Sequence, residues 1–288
     1  MQICICGACQ EDTYHFDWRP KGPPRSRVVA LSFPPSPVRK REMTPIDENA
    51  NRRADWGAIL FALVYPTLLT VVYFILLARA PTTLQQGTYA VGKLFQFALP
   101  ALWTFGLRRE PVGSRLPRRN ELIGGAILGL VLLAAGLALY HFAARPAGFF
   151  DGAAGDAIRQ KIEGFGVSSL PRYVLLATFY SLIHSLLEEY YWRWFVFGRL
   201  RRLISLPCAI GVSSVGFMAH HVCIVSVFFG WWSPMSLLLS AAVAVGGAIW
   251  AWIYHRTNSL FATWISHAFV DAGIFLIGYE LSNVRLSA

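Results

Sequence analysis

Glu188 and Glu189 stand side by side in YVLLATFYSLIHSLLEEYYWRWFVF (173–197), a run otherwise apolar enough to cross a bilayer. An ionised side chain in hydrocarbon is costly, so a pair of them implies proton transfer, ligand binding or a buried ion pair. Glu189 and Arg193 are four residues apart with the acid first, the favourable order for a helical ion pair. Adjacent helix positions point about 100° apart, so Glu188 faces a different neighbour and shares its stripe with His184 one turn earlier. Glu188 is thereby the group free to accept a proton or hold a ligand. Further along, FMAHH brings His220 and His221 into apolar surroundings, and HAFVD sets His267 and Asp271 four residues apart. A carboxylate at that spacing can orient the imidazole or share one site with it. Three segments each carry ionisable groups, and the least costly way to bury them is together.

The elements that must position these groups are membrane helices. The chain has 288 residues, 55% hydrophobic and 15% charged. Its apolar residues fall in blocks of roughly 20, the length a helix needs to span hydrocarbon. Seven are read: Trp56 to Ala78, Tyr89 to Leu107, Leu122 to Phe142, Tyr173 to Phe197, Leu203 to Phe229, Met235 to Tyr254 and Leu260 to Tyr279. The second has soft edges because of Lys93 and Pro100. The expected fold is all-α and polytopic, a multi-span domain over 56–288 with its site in a cavity of the C-terminal helices.

The formal charge of +10 is topology rather than nucleic-acid binding. Arg108, Arg109, Arg115, Arg118 and Arg119 follow the second block, Arg199, Arg201 and Arg202 the fourth, and Arg256 the sixth, whereas the intervening loops are nearly neutral. The positive-inside rule then puts the N-terminus in the cytoplasm and the C-terminus outside. Residues 1–55 are rich in charge and proline (Pro20, Pro23, Pro24, Pro34, Pro35, Pro37) and lack an apolar period. They read as a disordered cytoplasmic extension without the apolar core of a signal peptide; Met43 is an alternative start. Cys4, Cys6 and Cys9 supply three thiols but no fourth metal ligand of matching spacing. Cys208 and Cys223 read as packing residues. In the long polar loop, 151–166 carries Ala153, Ile158, Ile162 and Phe165 at partly helical spacing, the pattern of a short interfacial helix covering the membrane surface or of a solvated linker.

Together EEYYWR, FMAHH and HAFVD resemble the ordered motifs EExxxR, FxxxH and HxxxN/D of the CAAX-protease and bacteriocin-processing (CPBP, Abi) family of intramembrane proteases, which includes the type II CAAX prenyl endopeptidases. The lead-in NSLFATWIS (258–266) is also similar, and the resemblance covers roughly 170–279. It implies that Glu188, His221, His267 and Asp271 are catalytic and that Glu189 with Arg193 is the structural pair. His221 fills the FxxxH position; His220 and His184 are possible additional site residues, and the choice between the adjacent histidines stays open. Asp271 stands where the eukaryotic members have asparagine. An ionised aspartate cannot donate to an oxyanion and is better suited to orienting His267 or a metal.

The resemblance implies an endopeptidase acting on a membrane-associated peptide or protein, by one of two mechanisms. In one, Glu188 and His221 activate water while His267 stabilises the oxyanion. In the other, Glu188, His221, His267 and Asp271 supply ligands to zinc or another divalent metal. The alternatives are a non-catalytic scaffold or bacteriocin immunity protein of the same family, and a proton-coupled transporter. Against transport, the sequence shows no internal repeat, and its ionisable groups concentrate in the C-terminal half.

Overall fold

A computed structural model describes residues 45–111, 116–167 and 169–282. Cys4, Cys6, Cys9 and Met43 lie outside them. Every regular element among the described residues is a helix. Seven are long and apolar enough to cross a membrane: Asn51–Leu76, Thr82–Leu107, Arg119–Ala144, Leu170–Leu203, Leu206–Phe229, Pro234–Thr257 and Leu260–Leu281. These are the seven expected spans of an integral, multi-pass membrane protein. The first helix begins at Pro45, so 45–55, expected to belong to the extension, leads helically into the first span. Proline fits a first helical turn, where its missing N–H is no loss, and Asn49 to Asp55 contains no glycine, proline or β-branched residue to stop the helix.

Local chemistry sets the later boundaries. Ile204 is extended (φ −134°, ψ 169°) and separates the fourth span from the fifth, which opens with Pro207 in its first turn. At the start of the sixth span Ser233 accepts a hydrogen bond from the Ser236 amide, ahead of Pro234. Asn258 closes that helix in the left-handed region (φ 51°, ψ 32°), and Ser259 caps the seventh span by accepting from the Phe261 amide.

Two contacts fix how the spans pack. Pro66 has no N–H to offer the Ala62 carbonyl one turn earlier, and Tyr191, fully buried on the fourth span, donates its hydroxyl to that oxygen at 2.8 Å. The third and seventh spans meet through Gly125 and Gly129, a small-xxx-small stripe that allows backbones to approach. A Cβ at Gly125 would lie 2.5 Å from the Ala262 carbonyl oxygen, whereas one at Gly124 meets nothing within 4 Å.

Outside the spans, Ala153–Gly164 forms the helix expected in the polar loop. Gln86 donates to its last carbonyl, at Gly164, at 2.8 Å. Lys161 donates to the Tyr73 hydroxyl at 2.7 Å and sits against the Tyr73 and Phe74 rings; burial among them pushes its ammonium pKa below the usual lysine value. At the opposite ends of the spans, Asp55 accepts from Arg199 at 3.0 Å and pairs with Arg108 at 2.9 Å, joining the first, second and fourth spans.

Because Ala262 offers backbone rather than a yielding side chain, Gly125→Val will destabilise the purified protein by about 1–3 kcal/mol through overpacking and lower its thermal midpoint. Gly124→Val will leave the midpoint near that of the wild type. Equal midpoints for the two variants would contradict this packing.

Candidate active site

The fourth span is not uniformly α-helical. Ser185–Glu189 is one α turn set between two π-helical stretches, Phe179–His184 and Tyr190–Phe197. Such wide turns re-aim side chains and recur at functional sites. Here they flank the two glutamates, which point to different partners as their adjacency requires.

Glu189 is fully buried and bridges two spans. Its Oε2 lies 3.2 Å from Arg193 Nε one turn on, and its Oε1 lies 2.9 Å from Nδ1 of His267 on the seventh span. The Arg193 guanidinium is further covered by Phe217 and Trp250, whose ring centroids lie 4.6 and 5.2 Å away. Trp250 stacks on His267 at 4.4 Å and anchors itself by donating its indole N–H to Ser266 at 2.8 Å. The imidazole is thereby held in orientation from both its edge and its face.

Glu188 is the point of convergence. His184 Nε2 lies 3.8 Å from Oε1, as the shared stripe predicts, and His220 Nε2 approaches the same oxygen to 3.7 Å. His267 Nε2 lies 3.8 Å from Oε2 and 3.6 Å from Asp271 Oδ1. A fourth nitrogen, Lys93 Nζ on the second span, lies 3.9 Å from Oε1. All these separations exceed a direct hydrogen bond. Four nitrogens from four spans therefore surround one buried carboxylate, none of them in direct hydrogen bond with it.

Of the two adjacent histidines, the fifth span turns His220 towards Glu188. His221, assigned to the motif position, lies one step round the helix, with its Nδ1 2.9 Å from the Phe217 carbonyl oxygen. His220 is sandwiched parallel to Trp192 at 5.7 Å, and neither ring nitrogen meets hydrogen-bond geometry with a protein partner. Lys93 is the residue that sequence reasoning missed. In the sequence it softens the edge of the second span, and a lone lysine within an apolar block is itself the signal of an intramembrane site. Its presence means the site extends beyond the C-terminal helices.

The side chains named as possible metal ligands are Glu188, His221, His267 and Asp271. Among the described residues no three His, Cys, Asp or Glu side chains gather as a metal site. His267 Nδ1 faces Glu189 and His221 Nδ1 faces a backbone carbonyl, contacts that leave Nε2 of each ring to a further partner, while a lysine ammonium sits beside Glu188.

A glutamate pair with its arginine, then a histidine on the next span, then on the last span a histidine with a carboxylate one turn on, is thus both an order in the sequence and one cluster in space. Residues 170–273 match a family model, Type II CAAX prenyl endopeptidase Rce1-like. This Rce1-like segment contains Glu188, Glu189, Arg193, both candidate histidines of the fifth span, His267 and Asp271, whereas Lys93 lies outside it. At the family level the match supports a CAAX-type membrane protease. No curated protein and no solved structure matches the chain.

Removing one member of a buried ion pair strands the other, at a cost of about 3–5 kcal/mol. Arg193→Met will therefore strongly destabilise the protein in denaturant titrations of the detergent-solubilised chain. The double variant Arg193→Met/Glu189→Leu will lose less than the two single changes summed. Additive losses would show that the pair is not coupled.

Proposed function

We propose that the protein is an intramembrane endopeptidase in which Glu188 activates water to hydrolyse a peptide bond of a membrane-associated peptide or protein. The observation that carries this reading is the convergence of Lys93, His184, His220 and His267 on the buried Glu188 carboxylate. A general base must lie within reach of the proton it takes and be oriented by its neighbours, and these nitrogens hold the carboxylate without closing its oxygens in direct hydrogen bonds.

In this mechanism Glu188 removes a proton from water as the oxygen attacks the scissile carbonyl, and His220 orients the water from the opposite side. His267 serves the oxyanion. With both ring nitrogens protonated, it donates Nδ1–H to Glu189 and presents Nε2–H towards the reacting centre, supported by Asp271. The proton held by Glu188 then passes to the departing amine, so the carboxylate is regenerated and the two products carry the elements of water. His220 takes the place first given to His221, because it is His220 that faces the carboxylate. The family's name suggests a peptide bearing a prenylated cysteine as substrate. The arginine-rich span ends support a cytoplasmic N-terminus and a C-terminus outside.

The test is cleavage of a membrane-anchored peptide, followed by mass spectrometry, with the full chain reconstituted in liposomes. Glu188→Gln will cut the rate about 10²–10⁴-fold, the range for loss of a general acid–base group. Undiminished cleavage by that variant, or loss of ion flux with no cleavage by the wild type, would reject the proposal.

Two further comparisons separate its parts. His220→Ala will reduce turnover by at least tenfold more than His221→Ala, since only His220 faces Glu188; the reverse order would restore the motif assignment. Chelator treatment followed by metal-free assay will leave the rate unchanged, and recovery of a lost rate on adding zinc would establish a metal mechanism instead.

A further inference from the structure

A second polar cleft lies at the arginine-rich ends of the spans, outside the Glu188 cluster. It measures about 200 Å³, and its lining includes Arg199, Arg201, Arg202, Glu110, Trp194 and Tyr254. Trp194 and Arg199 belong to the same span as Glu188, and Arg199 lies eleven residues beyond it.

The charges of this cleft do not balance. Glu110 is the single carboxylate in its lining, and it already accepts from both Arg199 and Arg202, at 3.2 Å each. Arg199 has a second carboxylate in Asp55, but its buried Nε meets no hydrogen-bond acceptor. Arg201 is exposed and has no carboxylate partner among the described residues. Arg201 and Arg202 both present exposed guanidinium groups in this lining, and a planar guanidinium is a fork suited to two oxygens of one anion. Trp194 and Tyr254 add the amphipathic rings that favour the headgroup level of a bilayer.

We propose that this cleft binds a phosphate group, held by Arg201 and Arg202 and flanked by Trp194 and Tyr254. The phosphate is either the headgroup of an anionic phospholipid or a free phosphate. A lipid supplies it at the depth where the cleft opens, between the ends of apolar helices, and its acyl chains would lie along the exposed apolar surface of those helices. A site of this kind is independent of peptide hydrolysis, so its failure and the failure of the protease reading are separate results.

The full-length protein in detergent, supplied with phosphatidylglycerol or phosphatidylcholine, tests the site by native mass spectrometry and by thermal midpoint. The wild type will retain phosphatidylglycerol in preference and gain a higher midpoint from it. Arg201→Gln will weaken that retention about tenfold, the loss of one charge-assisted contact. Arg53→Gln, which removes an exposed charge outside the cleft, will not change it. Inorganic phosphate that raises the midpoint and displaces the lipid identifies the phosphate group as sufficient; protection by the lipid alone identifies the headgroup as the source. Equal retention of both lipids without protection by phosphate, or an Arg201→Gln/Arg202→Gln protein that still folds and binds like Arg53→Gln, would overturn the proposal.

Discussion

Glu189 holds two partners from two spans, and the arrangement of the site depends on it. One oxygen meets Arg193 on its own helix and the other meets Nδ1 of His267 on the seventh. In a medium that supplies no competing water, each of these groups would be strongly penalised if left alone. The contact therefore fixes the rotation and height of the seventh span against the fourth. Once that register is set, the remaining nitrogen of His267 can point only where Glu188 and Asp271 already lie.

The rest of the bundle serves the same constraint. Apolar faces give little preference among rotations in lipid, since hydrocarbon packs against a leucine as readily as another helix does. Polar convergence and close glycine contacts supply the specificity instead. Gly216 on the fifth span illustrates this, because a Cβ there would meet the Leu63 side chain at 2.5 Å and the Trp192 ring at 3.0 Å. The absence of a side chain at that point brings the first span, the fourth and the fifth together, one turn before His220.

Much of this was legible in the sequence because it rests on spacing within a single helix. The seven spans follow from block length, and the Glu189–Arg193 pair and the His184–Glu188 stripe follow from positions four apart. What depends on a helix's rotation was not legible. The fifth span is apolar around its circumference, so no amphipathic face says whether His220 or His221 turns inward; packing against Trp192 and Phe217 decides. The π-helical stretches beside the glutamates leave no compositional mark. Lys93 is visible in the sequence as a charge within an apolar block, but its partner Glu188 lies 95 residues away on another helix, where no spacing can point to it.

Pro66 and Tyr191 tie the first span to the turn that carries the glutamates. Pro66 leaves the Ala62 carbonyl without its helical donor, and the hydroxyl that answers it belongs to a residue 129 positions later in the chain. Tyr191 stands two residues beyond Glu189. The bond that satisfies a proline's missing partner in one helix is thus also a strut that seats the polar cluster of another.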